Sequence, residues 1–300
     1  MPLAYLHYDV FTGEPLLGNQ LAVFTDARGL SDDRMQRLAC EMNFSESTFV
    51  LPPEEPGTDA RVRIFTPGLE LPMAGHPTIG TTFALAHAGR IEPGASRITF
   101  GLKIGPTPVD LEWRDTVLAF AWMTQRAPSF GAVVTDRAVA AAAIGLGAEA
   151  LAPGLPVQPV SCGVPFLMVP LRDRQAVDAA SSQAAGLAQL FAVLPEPLGI
   201  FLFSVEPPGS AETVYSRMFG AAVGITEDPA TGGASGPLGC YLVRHGVVAG
   251  DAARRLVSLQ GVKMRRASRI HVAIGGTADA IDEVRVGGEA VLVGTGEILV

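Results

Sequence analysis

Residues 71–89 read "LPMAGHPTIGTTFALAHAG", and residues 228–246 read "DPATGGASGPLGCYLVRHG". The two stretches have the same length and align without a gap. Gly75 falls on Gly232, Leu85 on Leu242 and Gly89 on Gly246, 157 positions later each time. Pro77 suits the first turn of a helix, where its missing N–H removes no bond. Gly89 and Gly246 suit the left-handed position that closes one. Between these marks the residues are apolar or small all round: Ile79, Gly80, Phe83, Ala84 and Leu85 in one copy, Gly236, Leu238, Gly239 and Leu242 in the other. A helix without a polar face is buried. Internal glycines weaken a helix by ~1 kcal/mol each, but they let neighbouring backbone come close. The pattern predicts two long buried helices, beginning near Pro77 and Ala234.

The repetition extends upstream. Each stretch is preceded by an Arg-x-Phe triplet, "RIF" at 63–65 and "RMF" at 217–219. Before each triplet stands a helix-like segment feeding a strand: "LSDDRMQRLACEMNF" then "SESTFVLPP", and "QAAGLAQLFAVLPEPL" then "GIFLFSVEPP". Much of the remaining chain alternates as strands do, as in "ARVRIF", "SRITF", "VDLEW", "TVLAFAW", "FLMVPL", "RIHVAIG", "EVRVGG" and "AVLVG". No regular strand–helix–strand succession is present. The fold class read from this is α+β: two pseudo-symmetric halves, each a mostly antiparallel sheet rolled around one central helix. The crossing between halves is expected near 122–134, "WMTQRAPSFGAVV", followed by a capped helix at "TDRAVAAAAIG".

The 300 residues are 48% hydrophobic and 17% charged, which allows a sizeable core and argues against disorder. The formal net charge of −8 speaks against a nucleic-acid binder. The short basic run "KMRRASR", 263–269, reads as a solvated strand end. Cys40, Cys162 and Cys240 are far apart and make neither a metal spacing nor a disulfide framework, so buried free thiols are expected. The start "MPLAYLHYDVF" has neither the charged region nor the apolar core of a signal peptide, and no run reaches the ~18 apolar residues of a membrane span. The expectation is a cytoplasmic protein with no membrane partner. A mean hydropathy of +0.31 suggests that some strand surface is covered by a second copy, as in a two-fold homodimer.

The helix starts carry the chemistry. A helix N-terminus offers unpaired N–H groups and a partial positive charge, and glycine there lets an anion reach the backbone. Two such starts facing each other would grip a carboxylate through Gly75, Gly232 and Gly233. His76 opens one helix, and Asp228 lies four residues before Gly232. Asp228 also fits a turn or an N-cap. Glu46 stands at the head of a strand in "NFSESTFV", beside Ser45 and Ser47 with Phe44, Phe49 and Val50 near. A carboxyl in such apolar company has a raised pKa and can act as both acid and base. Asn19 in "GNQ" fits a turn as well as a site, and Glu227 reads as exposed. His7, His87, His245 and His271 read as structural.

The set "GNQLAVF", "MQRLACEMNFSESTFV", "RIFTPGLELPMAGHPTIG", "SRMFGAAVGITEDPATGGASGPL" and "QGVKMRRAS" resembles the phenazine-biosynthesis PhzF isomerase family, in the same order and over nearly the whole chain. The resemblance implies the diaminopimelate-epimerase-like fold, with residues 1–122 and about 285–300 in one half, 123–284 in the other, and the site between them. It also implies a cofactor-free and metal-free isomerase acting on trans-2,3-dihydro-3-hydroxyanthranilate, a small carboxylate. In that family Glu46 would shuttle the proton, His76 and Asp228 would orient the substrate, and Ser45, Gly75, Gly232 and Gly233 would bind it. Two departures stand out. Gly233 occupies a place where the family usually has serine, and "MRRAS" replaces the family's "MGRPS". No cysteine stands at either helix start, which speaks against two-thiol racemisation. Other readings left by the residues are a binding protein on the same fold, or an epimerase using a carboxylate base.

Overall fold

The computed structural model describes residues 2–194, 199–220 and 225–299. The first part of the chain runs β1 (Pro2–Val10), β2 (Asn19–Phe24), α1 (Asp32–Met42), β3 (Glu46–Leu51), β4 (Ala60–Phe65), β5 (Glu70–Leu71), α2 (Gly75–His87), β6 (Arg97–Leu102), β7 (Gly105–Arg114) and β8 (Val117–Thr124). The second runs β9 (Ser129–Phe130), α3 (Arg137–Ala143), β10 (Gln158–Ser161), β11 (Pro165–Pro170), α4 (Arg174–Ala179), α5 (Ala184–Val193), β12 (Gly199–Val205), β13 (Val214–Gly220), β14 (Ile225–Asp228), α6 (Gly232–Arg244), β15 (Leu256–Gln260), β16 (Ser268–Gly276) and β17 (Ile281–Gly288). The last strand, β18 (Ala290–Leu299), returns to pair antiparallel with β1. It is one uninterrupted strand that runs well beyond the "AVLVG" segment read from the sequence.

The ladder order is the same in both parts. One runs β18-β1-β2-β3-β4-β6-β7-β8, and the other β9-β10-β11-β12-β13-β15-β16-β17. Each has its parallel pairings at the same two steps, β2–β3 and β4–β6 in one, β11–β12 and β13–β15 in the other. The two ladders meet where β8 pairs antiparallel with β17.

Each ladder wraps one helix. Every residue of α2 from Gly75 to Leu85 is buried, and so is α6 through Val243 apart from Gly233. Added methyls at Gly80 and Gly239 would lie 2.5 Å from Leu21 Cδ2 and 2.7 Å from Val272 Cγ1, so these glycines let the sheet close on the helix. Gly89 and Gly246 take φ of +67° and +68° and end the two helices as the sequence indicates. Both helices begin two residues earlier than expected, at Gly75 and Gly232, because Ala74 is extended and Thr231 non-helical while the glycines after them accept helical angles.

The outer layers are helical. Ser31 and Asp136 cap α1 and α3 through backbone amides at Arg34 and at Ala138 and Val139. Met35, Leu38 and Ala39 of α1 cover Phe24, Phe49 and Phe65, whose rings stack at 4.8 Å and meet edge-on at 5.5 Å. Such ring pairs add ~0.5–1.5 kcal/mol each beyond burial. The expected helix "QAAGLAQLFAVLPEPL" corresponds to α5, and its residues 195–198 lie outside the described ones.

The Arg-x-Phe triplets have a common purpose. Arg63 holds Glu70 through Nε and Nη2 at 2.8 and 2.9 Å, and Arg217 holds Glu227 the same way at 2.8 and 2.8 Å. Each guanidinium also lies over the phenylalanine two residues on, Phe65 or Phe219. Glu227 is therefore a partly buried ion-pair partner and not the exposed residue the sequence suggested. Each pair fixes the short strand, β5 or β14, that leads into a central helix.

Candidate active site

The starts of α2 and α6 touch. A Cβ added to Gly75 would lie 2.5 Å from both Cα and C of Gly232, so only glycine allows this approach. Neither start is capped by a side chain. Ala74 has no side chain to cap with. Thr231 has one, but it donates to Asp228 Oδ2 at 2.5 Å and accepts from Gln260 Nε2 at 2.9 Å. The first N–H groups of two buried helices are thus left for a ligand.

They face a cavity of about 200 Å3. Ala74, Gly75, Thr231, Gly232 and Gly233 form one side of its wall. Leu71, Met73, Val164, Phe166, Met218 and Ile225 make the rest largely apolar. Glu46 and Asp228 are the ionisable groups on that wall among the described residues.

Glu46 begins β3 and is 7% exposed. A 2.8 Å hydrogen bond from Thr81 to Thr48 ties its strand to α2. Burial pushes its carboxyl well above the usual carboxylate range, and the charge of Asp228 pushes it further. His76 does not line the cavity. It stands behind Glu46, 3% exposed, with Nε2 3.5 Å from Glu46 Oε2. Neither atom has a hydrogen-bond partner among the described residues. Burial lowers the His76 pKa to about 3, so the ring is neutral.

Asp228 ends β14, 3% exposed. Burial raises its pKa to about 6, while Thr231, Asn19 and Ser45 favour its charged form. It is not an N-cap; Thr231 occupies that place. Ser45 is half-buried and acts on Asp228 from outside the lining of the cavity.

Sequence reasoning gave too little to four residues. Asn19 is 1% exposed, and its Nδ2 lies 2.8 Å from Asp228 Oδ1, 3.0 Å from Ala230 O and 3.1 Å from His76 Nδ1. Gln260 donates to Asp228 O at 2.8 Å and accepts from Thr231 N at 3.0 Å. Gln125 donates to Gly232 O at 2.9 Å. Arg266 turns inward to pair with Asp9 and donates to Leu17 O and Gly18 O at 2.7 Å each. The basic run is therefore a solvated strand end only in part. Arg266 anchors the turn that presents Asn19, while Lys263, Arg265 and Arg269 remain exposed. Of the cysteines, Cys162 and Cys240 are the buried free thiols expected, although they lie 3.8 Å apart, and only Cys40 departs by being exposed.

The register relates the two parts of the site residue by residue. Leu21 pairs with Glu46 in parallel, and Phe166 pairs with Gly199 in parallel. Glu46 and Gly199 are therefore equivalent strand heads, and both line the cavity. The 157-residue offset makes Leu71 equivalent to Asp228, Ala74 to Thr231 and His76 to Gly233. At each pair, one copy carries a polar or titratable side chain and the other a small or apolar one. The arrangement offers two N–H cradles for an anion, an apolar slot, and acid–base groups without equivalents in the other copy.

A sequence model of the family described as phenazine biosynthesis-like protein (PhzC-PhzF) matches residues 8–296. The chain belongs to this family. It is 37% identical to a Pseudomonas aeruginosa protein named trans-2,3-dihydro-3-hydroxyanthranilate isomerase, over 95% of each chain. Its fold is similar to that of a Bacillus anthracis phenazine biosynthesis protein of the PhzF family, with 28% identity, a TM-score of 0.87 and full coverage of both chains. A hydroxyproline epimerase from Agrobacterium vitis shares the fold alone, with 13% identity and a TM-score of 0.68 over 99% of this chain and 92% of that one. Like its PhzF-family relatives, this chain is an isomerase. No helix among the described residues is long and apolar enough to cross a membrane.

Proposed function

We propose that the chain isomerises trans-2,3-dihydro-3-hydroxyanthranilate, or a closely similar unsaturated ring carboxylate, by moving one proton. The observation that carries this reading is the placement of one titratable strand head, Glu46, on a mainly apolar cavity that two uncapped helix starts also line. The N–H groups of Gly75, Gly232 and Gly233 hold the substrate carboxylate. The ring lies against Phe166, Leu71 and Met218. Glu46, as carboxylate, takes a proton from a ring carbon, and the C–H electron pair spreads into the adjoining unsaturated system. Glu46 then returns the proton to a second carbon, so atoms and charge balance and no cofactor takes part. His76 and Asp228 orient the substrate and the proton, and Ser45 supports Asp228.

The polar-against-apolar pairing of related positions supports one base over two. A two-base epimerase needs a proton acceptor on each face, and the counterpart of Glu46 is Gly199. The halves are taken as 1–122 with about 285–300, and 123–284, with the site between them. The protein is proposed to be a cytoplasmic homodimer acting on a small carboxylate with no nucleic-acid partner, and light scattering that shows a monomer would remove the dimer.

The test is incubation of the protein with the dihydro-hydroxyanthranilate in deuterated water. Bond migration, with any exchanged deuterium at the carbon that receives the proton, is expected. Inversion at one carbon without bond migration would replace this reading with epimerisation, and no reaction would remove the substrate.

A further inference from the structure

We propose that Asn19 is a positioning residue that couples the protonation of Asp228 to the tautomer of His76, and so decides whether His76 presents Glu46 with a lone pair or a proton. The inference deepens the reading above and rests on it for the part played by Glu46.

The Asn19 amide nitrogen has two hydrogens. Three acceptors lie within reach of it: Asp228 Oδ1 at 2.8 Å, Ala230 O at 3.0 Å and His76 Nδ1 at 3.1 Å. One of them must go without. With Asp228 ionised, the carboxylate and the carbonyl take both hydrogens, since a charged acceptor binds more strongly. His76 Nδ1 then carries its own hydrogen, and the backbone of Gln20 favours a proton on the ring. Nε2 is left as a lone pair 3.5 Å from Glu46 Oε2, placed to accept from a protonated Glu46. With Asp228 protonated, its claim on the amide weakens. Asn19 turns a hydrogen to Nδ1, Nε2 carries the ring hydrogen, and that hydrogen points at a Glu46 carboxylate. A proton shared by the two carboxyls can move between them through solvent in the cavity that both line. Neither Nε2 nor Oε2 has another hydrogen-bond partner among the described residues, so each is open to the other.

The setting keeps Asn19 in this place. Gly18 takes φ +67°, and a Cβ there would strike Val10 O at 2.3 Å. Arg266 fixes that turn through Leu17 O and Gly18 O. The charged and titratable groups packed about the amide are Glu46 on β3, His76 on α2, Asp228 on β14, Glu227 with its partner Arg217, Asp9 with its partner Arg266, and His7 on β1. Glu227 and Asp9 are each neutralised by an arginine, so Asp228 and Glu46 are the charges free to change near the ring.

The experiment is nitrogen-15 NMR of the histidine-labelled chain, which reads the His76 tautomer directly. It is followed from pH 8 to pH 5 in the wild type, Asn19→Leu and Asn19→Asp. The wild type is expected to pass from the Nδ1–H to the Nε2–H form with a midpoint near the Asp228 titration at about 6. Asn19→Leu is expected to lose this dependence. Asn19→Asp, whose carboxylate accepts from Nδ1–H, is expected to stay in the Nδ1–H form throughout. Should Asn19→Leu not fold, Asn19→Asp decides alone. One tautomer across the whole range in the wild type, or the same transition in either variant, would overturn the proposal. No substrate is needed, so a wild type that shows the transition but turns over no dihydro-hydroxyanthranilate supports the coupling and refutes only the substrate.

Discussion

Gly75→Ala adds a single methyl where the two central helices touch. The new Cβ would sit 2.5 Å from Cα and C of Gly232 and 2.7 Å from Gly233 N, against the 3.4 Å at which ordinary contact begins. The shortfall is about 0.9 Å, and the atoms in the way are backbone, which cannot swing aside as a side-chain tip does. The helix starts must therefore part by nearly that distance. Overpacking of this kind costs ~1–3 kcal/mol, and a thermal midpoint lower by roughly 2–6 °C follows for a chain of this size. The effect on turnover is expected to be larger. The proposed cradle for the carboxylate is formed by those same N–H groups, and a displacement near 1 Å costs up to ~10²-fold in rate. Gly233→Ala is the control at the start of the facing helix, because its methyl would meet only Phe166 ring atoms at 3.7 and 3.8 Å. The assays are a thermal melt, kcat and KM on the dihydro-hydroxyanthranilate, and affinity for 3-hydroxyanthranilate. If Gly75→Ala retains the wild-type melting temperature and kcat, the contact between helix starts is not what sets the cradle, and the reasoning fails.

Glu46→Gln is expected to lose ~10²–10⁴-fold in turnover, the usual share of general acid–base catalysis, while still binding 3-hydroxyanthranilate; His76→Ala should lose less, and unchanged kcat in Glu46→Gln would remove the shuttle. Gly233→Ser should fold with a stability change within about 0.5 kcal/mol, as its site is open, and should match or exceed wild-type turnover; a large loss on both counts would show that the space beside Phe166 is required. Asp228 has its folded pKa raised from 3.8 to about 6, so the folded state holds its proton more tightly, and the stability from this group is full below pH 3.8 and lost as pH rises to about 6. Asp228→Asn is therefore expected to gain on the order of 3 kcal/mol over wild type at pH 8, with the gain shrinking as pH falls through the 6-to-4 window; denaturant melts showing a constant difference would contradict that sign.

Most of the architecture was legible because the chain states it twice. A buried helix with no polar face, a glycine at its closing turn and a triplet before it recur at a fixed offset, and what one copy leaves ambiguous the other repeats. The candidate site was legible to the extent that its parts are local: Glu46 at a strand head, His76 behind it after Gly75, Asp228 before Gly232. The missed parts are those whose meaning lies in distant partners. Asn19 meets Asp228 across 209 positions, and Arg266 meets Gly18 across 248. A short polar residue after glycine reads as a turn and an arginine in a basic run reads as solvated, since no local pattern reports what stands opposite. The same holds for Cys162 and Cys240, which touch across 78 positions.

The repetition also separates what builds the fold from what the chemistry needs. Positions where the copies agree are mechanical. Gly75 and Gly232 let the helices touch, Arg63 and Arg217 hold Glu70 and Glu227, and Thr78 and Ser235 each donate to the carbonyl four residues back. Positions where the copies differ surround the cavity: Glu46 against Gly199, Asp228 against Leu71, His76 against Gly233, Thr231 against Ala74. A symmetric site would put two like carboxyls at related strand heads. Moving a proton from one ring carbon to another asks for one group that lets go of what it took, and a slot beside it that leaves the ring nothing else to react with. Gly199 and Leu71 are what the second copy supplies toward that slot. Restoring symmetry would therefore harm the reaction even if the fold survives. A carboxylate at position 199 would lie near a Glu46 that burial and Asp228 already discourage from ionising. A Cβ there would also press within 2.9 Å of the Phe166 ring.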